Sequence, residues 1–390
     1  MTTDMLWLED FEVFAPRRLG RGHVLAAGGK ICGTGPLEPP PKSWDVTVIR
    51  GDGRYLVPGF IDPHVHIAGA GGEGGPVSRT PEIQPGQLIR GGVTSVVGCL
   101  GTDGIARRPE SVLMKAKGLR QHGLGCWMYT GSYQVPTPTI FSDAGQDLCF
   151  LDEVIGVGEI ALADHRSSSP TVQELVRLAK LTRVGGMLGQ KAGIVHLHMG
   201  DGRDPFAMVE AAVAASELGY GRFYPTHTTR NAHIFEAAKD YGKRGPIDIT
   251  TSSYPYFPDE EVKPSQGVVG LLQAGVPLSH ITFSSDAGGS LPRFDQAGQL
   301  VGMQVGEPSS NLREIRDLVQ GEGVSLEDAL TLATTNPARI LKLRGKGELG
   351  AGFDADMLIL EKDLSLHSVI AGGKVMLHEG RLLAPGPFEA

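Results

Sequence analysis

Val57-Pro58-Gly59-Phe60-Ile61-Asp62-Pro63-His64-Val65-His66 is the stretch at which the chain changes character. Before it, residues 1–57 hold short alternating apolar runs such as Val24-Leu25-Ala26, broken by turn residues such as Gly28-Gly29, with no helical period. They read as a small β unit. From Val57 onward, β-rich runs alternate with helical stretches. The runs are Val57–His66, Val93–Cys99, Cys126–Tyr133, Val154–Asp164, Gly193–Asp201, Arg222–Arg230, Ile247–Ser253 and His280–Asp286. Helices are expected near 81–91, 109–121, 170–184, 204–218, 231–242, 262–274 and 310–341. Ser169-Pro170 and Asp204-Pro205 are start signals, and Gly219 is a stop signal. Eight strands alternating with helices predict an α/β chain with parallel pairing, and eight is the number that closes a (β/α)8 TIM-type barrel. The competing doubly wound sheet would carry GxGxxG after its first strand, and that motif is absent.

After Leu343 the β character returns. Residues 346–360 read as turn then strand, and Val369–Val375 as another strand and turn. The two ends together predict a small β-sandwich domain built from both termini. The expected division is 1–57 and 346–390 for the sandwich and 58–345 for the barrel. The length agrees, since a barrel uses about 250 residues and the chain has 390. Glycine is the outlier of the composition, with 55 residues. That is about twice the usual share, and it points to sharp turns or to loops where backbone approaches a ligand.

Composition also excludes partners. Lys and Arg number 36 against 44 Asp and Glu, for a net charge of −8, with no basic patch for nucleic acid. The start Met1-Thr2-Thr3-Asp4 carries an acid where a secretory signal would carry positive charge, and no stretch of 18 apolar residues spans a membrane. Cys32, Cys99, Cys126 and Cys149 lie far apart without a CxxC pair. They read as reduced core thiols of a cytoplasmic protein.

The chemistry is suggested by where His and Asp fall. His64 and His66 end the first run, two residues apart, so both rings share one face of a strand. His198 lies near the end of the fifth run, His227 near the end of the sixth, and Asp286 ends the eighth. Strand C-termini form the catalytic rim of such a barrel. One histidine at a strand end is ordinarily a polar residue meeting solvent. Four histidines and a carboxylate at matching ends suit zinc or a similar divalent ion. His196 is expected one layer deeper than His198, as packing. His23, His122, His280, His367 and His378 are read as ordinary, and His165 and His233 carry no assignment.

These motifs, with a closing Lys346-Gly347-Glu348-Leu349 and Gly352-Phe353-Asp354-Ala355-Asp356, resemble the amidohydrolase superfamily of metal-dependent barrel hydrolases. Within it, the isoaspartyl dipeptidases are most similar. Their segments are matched by Gly71-Gly72-Glu73-Gly74-Gly75-Pro76, Gly92–Gly98, Leu100-Gly101-Thr102-Asp103, Asp164-His165-Arg166-Ser167, His198-Met199-Gly200-Asp201, Pro225-Thr226-His227 with Arg230, and Ser284-Ser285-Asp286 with Ser290. The resemblance covers essentially the whole chain. It implies two divalent metal ions, zinc by preference, holding a hydroxide between them. His64, His66 and Asp286 would bind one ion, and His198 and His227 the other. Asp286 would also shuttle the proton.

The family bridges its metals with a carboxylated lysine on the fourth strand. Here no lysine occurs between Lys117 and Lys180, and Glu159 falls on that position. The segment Val154–Asp164 is also one residue longer than the family's. An extra strand residue makes a bulge that re-aims a side chain, so Glu159 is expected to point inward and bridge the metals. The opposing expectation is a salt-bridged or solvated Glu159 at the strand end, beside a single ion.

The resemblance further implies that Glu73 binds the substrate amine, and that Arg166 and Arg230 fork onto carboxylates. Tyr133 would donate to the developing oxyanion, with Thr102 and Ser290 as further donors. The implied activity is hydrolysis of the β-linked amide of isoaspartyl dipeptides, by a homo-oligomer acting on a small molecule. The alternatives are an N-acyl amino acid deacylase, a cyclic amide hydrolase, or a non-catalytic scaffold.

Overall fold

The computed structural model describes residues 5–294 and 299–389, so the opening Met1–Asp4 and the final Ala390 lie outside the described residues. Six strands form one parallel sheet in chain order: Phe60–Val65, Val93–Gly98, Gly125–Thr130, Val154–Leu162, Ile194–Met199 and Phe223–Thr226. The seventh, Ile247–Thr250, pairs in parallel with the eighth, Ile281–Ser284. Backbone bonds join the two parts at both edges. Thr228 N donates to Asp248 O at 3.3 Å, Asp286 N to His64 O at 3.1 Å, and His66 N to Ala287 O at 2.8 Å. The arrangement is that of a TIM-type barrel.

The strands are buried along nearly their whole length because they are covered on both faces. Inside the ring, Ile61, Val97, Tyr129, Ile194 and Tyr224 fill the lower layers, and Leu341 and Leu343 close the floor. Outside, Leu88, Val112, Leu119, Leu175, Val268 and Ile315 press the helices onto the sheet. Polar groups therefore collect at the C-terminal rim.

The chain switches sheets at Gly59. Tyr55–Pro58 belongs to the terminal β unit, and the first barrel strand begins at Phe60. A Cβ on Gly59 would lie 2.3 Å from Thr94 Oγ1, so only glycine fits there. Tyr55–Pro58 pairs antiparallel with Met357–Leu360, which joins the two ends of the chain in one nine-stranded sheet. Leu8, Phe11, Val24, Ile31, Met357 and Ile370 give that unit its own apolar core.

Helix positions agree broadly with the sequence reading, and three differ for physical reasons. The region 310–341 is three helices, Ser310–Gln320, Leu326–Thr331 and Thr335–Ile340, since Gly321 and Gly323 interrupt it and Ser325 caps a new start. The fourth-strand helix is capped by Thr171, in a capping box with Glu174, and not by Ser169-Pro170. The helix expected at 204–218 is shorter, Ala207–Ala214, with no side-chain cap. Ala144–Phe150 is a further helix, opened by Asp143, and Ser290–Phe294 forms a hairpin with Leu300–Val305 beside the rim.

Candidate metal centre

The rim builds the centre from five strands. His64 and His66 come from the end of the first strand, with ring centroids 5.2 Å apart. His198 ends the fifth strand, His227 follows the sixth and Asp286 follows the eighth. His227 and Asp286 sit at φ +61° and +52°, a left-handed backbone that non-glycine residues seldom adopt. The sharp turn there aims both side chains back over the ring, and such strain clusters at functional sites.

Glu159 occupies the middle. Val195 pairs with Val157 and Leu197 with Ile160, so an extra residue stands in the fourth strand between those pairs. This is the bulge expected from the long segment. Gly158 permits it: its φ is +149° and a Cβ there would lie 2.6 Å from His196 O. Glu159 is 1% exposed. Its Oε2 lies 3.4 Å from His64 Nε2, 3.4 Å from His198 Nδ1 and 3.6 Å from His227 Nε2, while Oε1 lies 3.4 Å from His66 Nε2. Asp286 Oδ1 is 3.0 Å from His66 Nε2 and 3.6 Å from His64 Nε2.

These spacings fit a metal. Two N or O ligands about 2.05 Å from a tetrahedral zinc stand about 3.3–3.4 Å apart. Both ring nitrogens of His64, Glu159 Oε2 and Asp286 Oδ1 are buried without a hydrogen-bond partner. A buried carboxylate left alone costs several kcal/mol, so a cation between these atoms is the expected remedy. Two ligand groups emerge, both containing Glu159: one with His64, His66 and Cys99, the other with His198 and His227.

Local electrostatics differ across the centre. Burial opposes ionisation of His64 and His66, but neighbouring Cys99 and Asp286, joined by Glu159 at His64, hold both well above the usual imidazole range, while Glu159 and His227 are held down. Burial opposes ionisation of Glu159, but the surrounding His64, His198 and His227 hold its carboxyl well below the usual range. Burial and the neighbouring His198 push His227 down to about 3, leaving the neutral imidazole a ligand needs. His198 Nε2 lies 3.0 Å from Asp164 Oδ2, and His227 Nδ1 lies 2.7 Å from Thr250 Oγ1. These partners orient the two rings. Beneath, Asp62 accepts from Ser285 Oγ, from Ser285 N at 3.1 Å and from His64 N at 3.3 Å, and ties the first strand to the eighth. His196 lies one layer down, stacked on Tyr129 at 4.7 Å and edge-on to His64 at 4.8 Å. It packs, as expected.

The remaining expected residues line one pocket with the centre at its base. Glu73 accepts from Thr102 Oγ1 at 3.1 Å and from Ser290 Oγ at 3.0 Å, and faces Arg166 Nη1 at 3.5 Å. Arg166 also donates two bonds of 2.9 Å to Asp164. Arg230 Nη1 donates to Met199 O at 2.9 Å and lies 3.3 Å from His198 Nε2. The Tyr133 hydroxyl is 2.7 Å from His198 Nδ1, and burial raises its pKa so that it keeps its proton.

Three residues at the site were given no role there in the sequence reading. Cys99 borders the ligands. Asp164 anchors both His198 and Arg166. Glu261 lines the pocket beside Phe257 and accepts from Ser253 Oγ at 2.7 Å. Only the Asp-His-Arg segment could have flagged one of them, Asp164. The cysteines are free, but Cys32 is exposed and Cys149 partly so; only Cys99 and Cys126 are core thiols. Among the described residues no helix is long and apolar enough to cross a membrane.

Comparison with known proteins agrees with this geometry. The profile of the Amidohydrolase family matches residues 252–376. The β-aspartyl dipeptidase of Fervidobacterium islandicum AW-1, in complex with β-Asp-Leu dipeptide, is 38% identical over 98% of each chain, with a TM-score of 0.92. A second structure of that enzyme is 37% identical, covers 97% of this chain and 98% of its own, and has a TM-score of 0.87. N-acetylglucosamine-6-phosphate deacetylase of Lysinibacillus sphaericus is 30% identical over 27% of this chain. The match spans 24% of that deacetylase, and the match to the adenine deaminase of Methanothrix thermoacetophila spans 52% of that protein. The chain belongs to the amidohydrolase family.

Proposed function

We propose that the protein is a metal-dependent dipeptidase that hydrolyses the β-linked amide bond of isoaspartyl dipeptides. One observation carries this reading: the Glu73 carboxylate and the Arg166 and Arg230 guanidiniums surround a single pocket whose base is the His–Glu–Asp centre. That pattern complements a molecule with one ammonium and two carboxylates. Glu73 takes the α-amine, releasing Thr102 and Ser290 to donate to substrate. Arg166 and Arg230 each take a carboxylate, bidentately as guanidinium geometry favours. The β-aspartyl dipeptidase of F. islandicum, similar over nearly the whole chain, supports the same class. An N-acyl amino acid or cyclic amide brings no ammonium to Glu73, and a scaffold has no use for a complete ligand set.

The centre would take two divalent ions, zinc by the preference of its donors. His64, His66 and Asp286 would hold one and His198 and His227 the other, with Glu159 within reach of both. Bound there, the ions supply Lewis acidity and a water acidic enough to attack an amide near neutral pH. Asp286, at the pocket base with its Oδ1 3.0 Å from His66 Nε2, accepts a proton and passes it to the leaving amine. Tyr133 donates its hydroxyl proton to the carbonyl oxygen as charge develops. The barrel, residues 58–345, carries this chemistry, with 1–57 and 346–390 as the β unit. Free cysteines favour the cytoplasm, and Val184, Met187 and Leu188, exposed on one helix, favour a homo-oligomer.

The test compares kcat/KM for β-Asp-Leu, α-Asp-Leu and N-acetyl-Leu on the purified, metal-loaded protein. β-Asp-Leu is expected to lead by at least a hundredfold. A lead for N-acetyl-Leu would transfer the protein to the deacylases.

A further inference from the structure

We propose that the thiolate of Cys99 is itself a ligand of the ion held by His64 and His66, so that this half of the centre binds metal through sulfur as well as nitrogen and oxygen. The proposal rests on the reading of the rim as a metal centre and goes beyond it. Cys99 follows directly on the second barrel strand, Val93–Gly98, and is fully buried. Its Sγ lies 3.8 Å from His66 Nδ1 and 4.0 Å from His66 Nε2. One ligating atom from each of His64, His66, Cys99 and Glu159 falls within 4.8 Å of all the others.

Chemistry separates this thiol from an ordinary core cysteine. With His64, His66, Asp286 and Glu159 the sulfur makes a fifth ligand, and in a five-coordinate zinc a sulfur at about 2.3 Å and a nitrogen at about 2.05 Å stand about 3.1–3.8 Å apart. The separation of 4.0 Å between Sγ and His66 Nε2, the nitrogen that faces Glu159 and Asp286, lies just beyond that range. A second, independent observation is at the same spot. Both His64 ring nitrogens and Glu159 Oε2 are buried there without hydrogen-bond partners, and His64 Nε2 and Glu159 Oε2 stand 3.4 Å apart, the spacing of two ligands of one ion. The thiol also faces His64 and makes a weak contact to Val65 O at 3.7 Å. Gly101 leaves the neighbouring space open, since a Cβ there would lie 2.9 Å from His66 Cε1 and 3.2 Å from Glu159 Oε1.

On binding, the S–H bond breaks, the proton passes to solvent and the sulfur lone pair forms the bond to the ion. A soft sulfur ligand biases this half toward zinc, cobalt or iron over magnesium and manganese. It also makes occupancy sensitive to thiol oxidation, since a sulfinic acid no longer offers a thiolate.

The experiment substitutes cobalt(II) into the full-length protein and records its absorption. Thiolate ligation gives an intense near-ultraviolet sulfur-to-cobalt charge-transfer band, which nitrogen and oxygen ligands do not produce. The band is expected in the wild type and is expected to vanish in both Cys99→Ser and Cys99→Ala, while visible d–d bands persist. X-ray absorption of the zinc form should show one sulfur at about 2.3 Å. Competition with a chelator should show at least a tenfold loss of affinity for one ion in Cys99→Ser. A cobalt-loaded wild type without the band, or a band that survives Cys99→Ser, overturns the sulfur ligand while leaving the metal centre intact. A wild type that binds no cobalt or zinc overturns both readings, and the wild-type measurements stand even where a variant fails to fold.

Discussion

Replacing Asp164 by asparagine tests how the two halves of the site are coupled. Asp164 Oδ2 lies 3.0 Å from His198 Nε2, and the same carboxylate accepts Arg166 Nε and Nη2, each at 2.9 Å. Burial opposes its ionisation, but the bonds from His198 and Arg166 overcome it and hold the carboxyl far below its usual range. Asparagine has one acceptor atom where aspartate has two. If its oxygen serves His198, its NH2 meets the Arg166 fork, donor against donor. Loss of such a partner to a metal-binding histidine costs about 10–100-fold in metal affinity, or roughly 1.4–2.7 kcal/mol. The freed guanidinium adds about 1–3 kcal/mol for an unpaired buried donor. Two readouts should therefore move together. Chelator titration should show the ion on His198 and His227 leaving about 10–100-fold more readily, while the ion on His64 and His66 stays. KM for β-Asp-Leu should rise about tenfold as Arg166 loses its support. Unchanged affinity for both ions together with unchanged KM would refute the coupling of His198 and Arg166 through Asp164.

Glu159→Gln should lower metal content from two ions per chain to one or fewer and reduce kcat at least a hundredfold, as mass spectrometry of the purified protein and steady-state rates will check; two retained ions would remove its bridging role. Tyr133→Phe should cut kcat by about 10²–10³ with KM within about threefold, the pattern of a donor used chiefly in the transition state; an unaltered kcat would assign the hydroxyl to packing. Glu261 supplies a pH test. Burial, only partly offset by the Ser253 hydroxyl and Arg230, raises its pKa to about 7, against about 4.3 when unfolded. Between those values the native state keeps a proton that the unfolded chain has released, so this group's contribution to stability falls as pH rises from about 4.3 to 7 and is level above. Glu261→Gln abolishes that loss, and its advantage over wild type should grow by about 2–3 kcal/mol between pH 5 and pH 8 in denaturant unfolding. An advantage that is the same at both pH values would show that Glu261 does not titrate in this range.

Much of the site was legible because strand geometry is simple. Period two puts His64 and His66 on one face whatever surrounds them, and an eightfold alternation puts strand ends on one rim. His198, His227 and Asp286 follow from the same rule. The bulge at Gly158-Glu159 was legible only through resemblance, as one residue more than the family's segment carries. Glu73, Thr102, Arg166 and Ser290 were legible only through resemblance, since each lies in a loop whose path has no period. Cys99 and Glu261 were missed for a related reason. Cys99 looks like any apolar strand-end residue until the first and second strands lie side by side, and Glu261 looks like a member of the exposed acidic run Asp259-Glu260-Glu261.

By itself, then, the sequence determined the alternation of elements and the rim on which His64, His66, His198, His227 and Asp286 sit. These depend on local periodicity and residue type, which a chain carries with it. Only the tertiary structure decided which atoms share a point in space. It turned Glu159 so that its two oxygens face histidines of three strands, brought a cysteine of the second strand against a histidine of the first, and set Asp164 between His198 and Arg166. The physical reason is that ligand spacing near 3.4 Å is set by strand stagger, by one bulge and by two left-handed turns at His227 and Asp286. Those geometries exist only once the ring is closed.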